Sequence, residues 1–188
     1  KGVPFMLENR LIEHCAPTLA GIKSANLFNY FYTDKAEVIE ELTKVNALLN
    51  QKGVYAEALL WREESVLIYI YRRTMLEKEL QNPEASALLI KYGYEGYDVE
   101  SCLIHLKVRL SRYTCFPHEI GIFLGYPIED VKGFIENRGQ NCESCGFWKV
   151  YCNASEKEKF FCKMRKGTQY YIRNFQKGRS LLQMTVSM

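Results

Sequence analysis

The chain has 188 residues, of which 47% are hydrophobic and 25% charged, and its formal net charge is +3 at pH 7. This composition is typical of a globular protein and excludes a disordered chain, a collagen and a coiled coil. No apolar run approaches the roughly 20 residues that span a bilayer. At roughly 150 residues per domain, this length favours a single domain.

The first part of the chain is predicted to be β-α-β-β. Pro17 and Gly21 interrupt helical continuity, which favours an extended segment centred on 19–28. Asp34 is a candidate N-cap for a helix over 35–51, because apolar residues follow it at helical spacing up to Gly53. The β-rich runs 54–61 and 65–71 predict a hairpin. The predicted fold class is therefore α+β, with an antiparallel sheet layered with helices.

The middle of the chain changes to a helical pattern over about 74–137, and we interpret it as a helical insertion in a single α+β domain covering residues 1–188. Asn82 and Pro83 have the residue types of an N-cap and a first helical position. The predicted helices are 76–80, 83–92, 99–113, 117–124 and 128–135. A C-terminal strand over 147–151 is placed so that it can rejoin the sheet, and a pair of helices fills 155–177.

The charge is uneven, with ten basic and three acidic residues in 138–188. We interpret this as a solvated helix face rather than a nucleic-acid surface, because no nucleic-acid motif accompanies it. The first residues, Lys1 to Phe5, also lack the apolar segment of a signal peptide, so we expect a cytoplasmic protein without a membrane partner.

The chain has seven cysteines. An odd number without an export signal argues against a disulfide framework and favours free thiols.

His14 and Cys15 form the first candidate site, at the predicted entry to the first strand. A thiol becomes a nucleophile or a metal ligand when a cation, a metal or a helix N-terminus favours its thiolate. Neighbouring residues of a strand point to opposite sides, so Cys15 needs a partner from elsewhere in the chain. The alternative is a buried cysteine that only packs.

The second candidate site is Pro117-His118-Glu119, at a predicted helix start. The free N–H groups and the dipole of a helix N-terminus attract anions, and His118 is a candidate general acid or base. The alternative is a Glu119 that caps the helix beside a hydrogen-bonded histidine.

Cys142 and Cys145 form a CxxC pair, which is a weak candidate for a metal site. Closed zinc sites take four ligands, and the later cysteines lack the spacing of a second pair. We expect these two thiols to lie close together near the surface without a structural metal.

Three stretches together resemble the bacterial family called domain of unknown function 3793, found mainly in anaerobic Firmicutes. They are residues 14–28 (HCAPTLAGIKSANLF), 116–127 (FPHEIGIFLGYP) and 146–151 (GFWKVY). The resemblance covers about residues 11–178. It implies that His14, Cys15, His118 and Glu119 belong to the recurring pattern of the family, and it implies no activity or cofactor.

These observations predict a Cys/His-centred site for thiol-dependent or metal- or cofactor-assisted chemistry on a small molecule. In this hypothesis Cys15 is a nucleophile or ligand, His118 its base or co-ligand, and Glu119 orients the imidazole. His14 and Arg72 are candidate ligand-binding residues, with Arg72 as an anion clamp. The alternative function is a non-catalytic module that binds or senses a metal or a small ligand.

Overall fold

The computed structural model describes residues 6–112 and 116–187. In this part of the chain the helices are α1 (Met6–Leu19), α2 (Lys35–Leu49), α3 (Arg73–Gln81), α4 (Pro83–Lys91), α5 (Val99–Arg112), α6 (Ile120–Phe123), α7 (Ile128–Glu136), α8 (Ala154–Gln176) and α9 (Leu181–Met184). The strands are β1 (Ala25–Phe31), β2 (Val54–Trp61), β3 (Ser65–Arg72), β4 (Ser144–Cys145) and β5 (Lys149–Val150). The predicted α+β class is confirmed. The predicted helix end at Tyr113 lies outside the described residues, as does Cys115.

The main sheet has the antiparallel order β1-β3-β2. Every residue of the central strand β3 is buried. On one face, Val66, Ile68 and Ile70 join a hydrophobic core shared with α1 and α2. On the other face, Tyr69 and Tyr71 stack with their ring centroids 5.1 Å apart. The alternation read from the sequence therefore corresponds to two differently packed faces of one strand.

Two predicted helix starts are confirmed at the level of single hydrogen bonds. The Asp34 side chain accepts a hydrogen bond from the Ala36 N–H and caps α2. The Asn82 side chain accepts from Glu84 and Ala85, and Pro83 follows as the first residue of α4. Both caps satisfy N–H groups that have no partner inside the helix.

The expectation of an extended segment from residue 19 was wrong at its start, because the chain is helical up to Leu19. Leu7, Leu11, Cys15 and Leu19 recur every four residues and are all buried, so they form the inner face of α1. Pro17 lies inside α1, in its last turn, although proline has no N–H to donate to the carbonyl four residues before it. The strand begins only at Ala25.

The chain divides into two compact units. The first takes in Lys1–Met75 and Lys166–Met188, and the second takes in Leu76–Arg165. The main sheet and its core belong to the first unit, and nearly all of the predicted helical insertion belongs to the second. That the whole chain forms one domain stays a prediction.

The end of the chain differs from its prediction in two places. The C-terminal strand is only Lys149–Val150, and it pairs with Ser144–Cys145 in a separate two-stranded sheet instead of the main one. The expected pair of helices over 155–177 is one continuous helix, α8, which runs from Ala154 to Gln176. No Pro interrupts that stretch, and its one glycine, Gly167, is tolerated in a helix this long.

Candidate functional site

The second unit contains a cleft lined mainly by aromatic side chains, which we call the aromatic cleft. Its volume is about 320 Å³, within the range of small-molecule pockets. Its aromatic lining consists of Phe116, Tyr126, Phe134, Phe147 and Trp148. Its polar lining includes His118, Asp130, Cys145 and Lys149. A mostly apolar wall with a few convergent polar groups is the usual character of a ligand pocket.

The hairpin formed by β4 and β5 builds one wall of the cleft. Its turn holds Trp148, whose ring stacks on Tyr126 at a centroid distance of 4.9 Å and meets the edge of Phe161 at 4.5 Å. A Cβ on Gly146 would lie 2.2 Å from the buried Phe161 ring, so only glycine lets the turn approach α8 this closely. The wall is therefore fixed by close packing.

The buried carboxylate of Asp130 ties this wall to α7. It accepts hydrogen bonds from the Trp148 indole N–H and from the Tyr151 backbone N–H, both at 2.8 Å. Its third partner is the Lys157 ammonium group at 2.8 Å. Burial disfavours the charged form of Lys157, but the hydrogen bonds to Asp130 and Cys152 outweigh it and raise the pKa of Lys157. A buried carboxylate with three donors stabilises the indole in one orientation.

Three reactive side chains line the cleft, and two of them contact Phe134. The His118 ring meets the Phe134 ring edge-on, with centroids 5.1 Å apart. The Lys149 Nζ lies 5.9 Å from the centroid of the same ring and donates to the Gly139 carbonyl oxygen at 2.5 Å. Cys145 is exposed and stands directly opposite Lys149 in the hairpin. The cleft therefore combines an imidazole, a thiol and an ammonium group.

The predicted helix start at Pro117 was wrong. Ile120 and Gly121 bond back only three residues, to the carbonyls of Pro117 and His118, and this makes a tight turn instead of an α-helical one. The α-helix begins at Ile120 and has four residues, so His118 and Glu119 precede it.

Glu119 is fully buried and faces partners other than His118. One carboxylate oxygen, Oε1, accepts from the Arg109 guanidinium and, at 3.3 Å, from the Tyr94 hydroxyl. Burial raises the pKa of Tyr94, and the neighbouring Glu119 raises it further. The alternative role of Glu119 as a helix cap is not observed, since the side chain makes no cap hydrogen bond. The contacts of Glu119 fit a buried structural ion pair.

Cys15 and His14 lie in the first unit, on α1. Cys15 has no exposed surface and belongs to the hydrophobic core. Burial raises the pKa of the Cys15 thiol well above its usual value, against the opposing effect of Lys23. His14 is exposed and stacks on Phe28 at 5.2 Å. These surroundings fit the packing alternative for Cys15, because a buried thiol in apolar surroundings is inert.

The proposed single site would join residues of two units, Cys15 of the first with His118 and Glu119 of the second. It stays a prediction, and neither Cys15 nor Glu119 has surroundings that favour it.

Arg72 does not have the surroundings of an anion clamp. Its side chain is 1% exposed and donates to the carbonyl oxygens of Thr18 and Leu19, each at 2.6 Å. It also donates to the Val186 carbonyl at 2.9 Å. These bonds satisfy the free carbonyls at the C-terminus of α1, so the guanidinium is a capping group.

The CxxC pair lies at the rim of the hairpin, with Cys142 half-buried and Cys145 exposed. Burial raises the pKa of Tyr151, and both thiols are near enough to add to that rise. Within residues 6–112 and 116–187, no group of three or more His, Cys, Asp or Glu side chains is arranged to hold a metal ion.

The predicted sites included His118 and Cys145, but in different sites, and they did not include Asp130, Phe134 or Lys149. The motif 146–151 was the signal available in the sequence for this cleft, because its first four residues, 146–149, all line it.

The fold and the cleft together define a mixed α+β protein with an aromatic-lined cavity in its second unit. A family model described as "Protein of unknown function (DUF3793)" matches residues 11–185, and the chain belongs to this family. No curated protein and no solved structure matches the chain. Among the described helices, none combines the length and apolar character that crossing a membrane requires.

Proposed function

We propose that this protein is a small-molecule-binding module whose ligand occupies the aromatic cleft. The observation that carries the proposal is the cavity of about 320 Å³, whose walls are aromatic and whose polar groups converge from three elements. The ligand class that fits these walls is a compact aromatic molecule, because offset and edge-on ring contacts add to the burial of apolar area.

The Cys/His character expected from the sequence belongs, in this proposal, to His118 and Cys145. Both line the aromatic cleft, whereas Cys15 is enclosed by the core of the first unit. A cytoplasmic location is part of the same proposal. It is supported by the six described cysteines, which are free thiols as in a reducing compartment.

The test is a titration with 3-phenylpropan-1-ol, followed by the fluorescence of Trp148. The chain has two tryptophans, so the Trp61→Phe variant leaves Trp148 as the sole reporter. We expect a saturable change with a dissociation constant of about 1 mM or below, from the gain per ligand atom that is usual for small ligands.

Two variants distinguish the cleft from surface adsorption. In the Trp61→Phe background, Phe134→Ala removes a ring from the cleft and is expected to weaken binding about tenfold. Phe31→Ala removes a ring that is 68% exposed on β1, and it leaves binding unchanged. An unsaturable signal, or equal effects of the two variants, contradicts the proposal.

A further inference from the structure

We propose that the aromatic cleft captures electrophilic aromatic molecules, such as aryl-substituted enals and enones, as a covalent adduct on Cys145. This inference rests on the proposed function, since the cleft must first bind the aromatic part of the molecule. It adds the reacting atom, which is the Cys145 sulfur, and the chemical class of the ligand, which is a conjugated carbonyl compound.

Cys145 combines exposure with a fixed position. Its strand pairs with β5, and the residue directly opposite is Lys149. Opposite residues of an antiparallel pair project from the same face, with Cβ atoms about 4.5–5.5 Å apart. Both side chains line the aromatic cleft. The sulfur of a cysteine is intrinsically a strong nucleophile, so an exposed position beside the bound ligand is the main requirement.

The other groups of the cleft match the remaining parts of an aryl enal. Phe134 and Phe147 offer ring surfaces for the aryl group. Lys149 donates one of its N–H groups to Gly139, and an ammonium group has three. It can therefore also donate to a carbonyl oxygen. His118 is exposed and meets the Phe134 ring edge-on, and an imidazole can accept and donate a proton.

The chemical step is a conjugate addition. The sulfur electron pair forms a C–S bond to the β-carbon, and the π electrons of the C=C bond move toward the carbonyl oxygen. The resulting enolate is stabilised by a hydrogen bond from Lys149. Its α-carbon then takes up a proton, which His118 transfers from the original thiol. No group leaves and no oxidant or reductant is consumed.

Cys162 provides an internal comparison. It is also exposed, but it lies on α8 and is not among the residues that line the aromatic cleft. Both thiols are therefore accessible to a reagent in solution, but of the two only Cys145 lies beside the aromatic side chains of the cleft. The ratio of modification at Cys145 to that at Cys162 reports the contribution of the cleft and cancels the intrinsic reactivity of the reagent.

The experiment treats the whole protein with cinnamaldehyde or with crotonaldehyde, which lacks the aromatic ring, and quantifies the adducts by peptide mass mapping. We expect the Cys145-to-Cys162 ratio to be at least about tenfold higher with cinnamaldehyde, because binding positions the reacting carbon beside the sulfur. Phe134→Ala lowers the ratio toward the crotonaldehyde value. Cys162→Ser leaves the Cys145 adduct unchanged, and Cys145→Ser removes it.

Equal ratios for the two aldehydes overturn the inference. The titration with 3-phenylpropan-1-ol, which cannot form the adduct, separates this failure from that of the proposed function. If the alcohol binds in the cleft and the ratios are equal, only covalent capture is overturned. If the alcohol does not bind and the ratios are equal, both proposals fail.

Discussion

Lys23 has an ionisable side chain that is almost fully buried, with only 5% of the residue surface exposed. Burial lowers its pKa from 10.5 to about 8, while the nearby Cys15 opposes that shift. The same burial raises the pKa of the Cys15 thiol. Each group therefore favours its neutral form in the folded protein, which is the usual consequence of placing ionisable groups in a core.

This burial predicts a stability that rises with pH. Well below pH 8, Lys23 holds its proton in both the folded and the unfolded chain. Above pH 8, only the unfolded chain still holds it, so the free energy of unfolding increases. Between pH 7 and 9 the gain is about 1 kcal/mol, at 1.36 kcal/mol per pH unit. Urea unfolding of the wild type and Lys23→Met at these two pH values measures it.

The difference between the two proteins isolates Lys23 from other titrating groups. The Cys15 thiol, with an unfolded pKa of 9.0, lowers stability only as the pH rises beyond that value, so the comparison ends at pH 9. A rise of the same size in Lys23→Met would show that another group causes it.

At the scale of elements, two glycines of the C-terminal part stand in opposite surroundings. Gly146 lies in the turn of the β4–β5 hairpin, where a Cβ would come within 2.2 Å of the buried Phe161 ring. Gly167 lies inside α8, where the atom nearest to an added Cβ would be the Ile22 Cδ1 at 4.0 Å. The same substitution therefore meets a steric clash at Gly146 and an ordinary van der Waals contact at Gly167.

We expect Gly146→Ala to lower the free energy of unfolding by about 1–3 kcal/mol, the usual cost of overpacking. We expect Gly167→Ala to raise it by about 0.5–1 kcal/mol, because alanine loses less backbone entropy inside a helix. Thermal unfolding of the wild type and both variants shows whether each substitution raises or lowers the free energy of unfolding. An increase in Gly146→Ala would contradict the packing described for the hairpin, and a decrease in Gly167→Ala would contradict the room described at α8.

Elements with a local signal were predictable, and elements that depend on distant partners were not. Asp34 and Asn82 fix helix starts by accepting hydrogen bonds from N–H groups two or three residues on, and Pro83 does so through its fixed φ, so the sequence places these starts correctly. The end of α1 depends on Arg72, which is 54 residues away from Thr18 and satisfies its carbonyl. Pro17 is a local signal for a break, and no local signal reveals that a distant guanidinium caps the helix just after it.

In the candidate site, too, local motifs reveal some residues, while contacts between distant parts of the chain decide how those residues are grouped. The motifs contained His118 and Cys145, but spacing does not reveal that a short hairpin brings them to one cavity. Cys15 shows a second limit, since a motif indicates that a residue matters without showing whether it packs or reacts. Burial decides that question, and only the fold supplies it.

At the scale of the whole molecule, the first unit is assembled from both ends of the chain. Leu181 and Met184 of α9 belong to the same core as α1 and β3. The Val186 N–H donates to the Leu19 carbonyl at 3.0 Å, and the Val186 carbonyl accepts from Arg72. The last residues therefore complete a structure that begins in α1.

Ending the chain after Arg179 is expected to lower the free energy of unfolding by about 3–6 kcal/mol, since two buried side chains contribute about 1.5–3 kcal/mol each. Chemical unfolding followed by far-ultraviolet circular dichroism measures the loss. Ending the chain after Val186 is the control, because it keeps both buried side chains and both hydrogen bonds. Similar stability of the two shortened proteins would contradict this account.

The bond between Arg72 and Val186 also sets an order of events during synthesis. The two residues are 114 positions apart, and a ribosome adds about 5–20 residues per second. Roughly 6 to 23 seconds therefore separate the appearance of the guanidinium from that of its last partner. During this interval the guanidinium lacks the Val186 carbonyl as an acceptor. The second unit is translated entirely within the same interval, so it has the opportunity to fold before the first unit is complete.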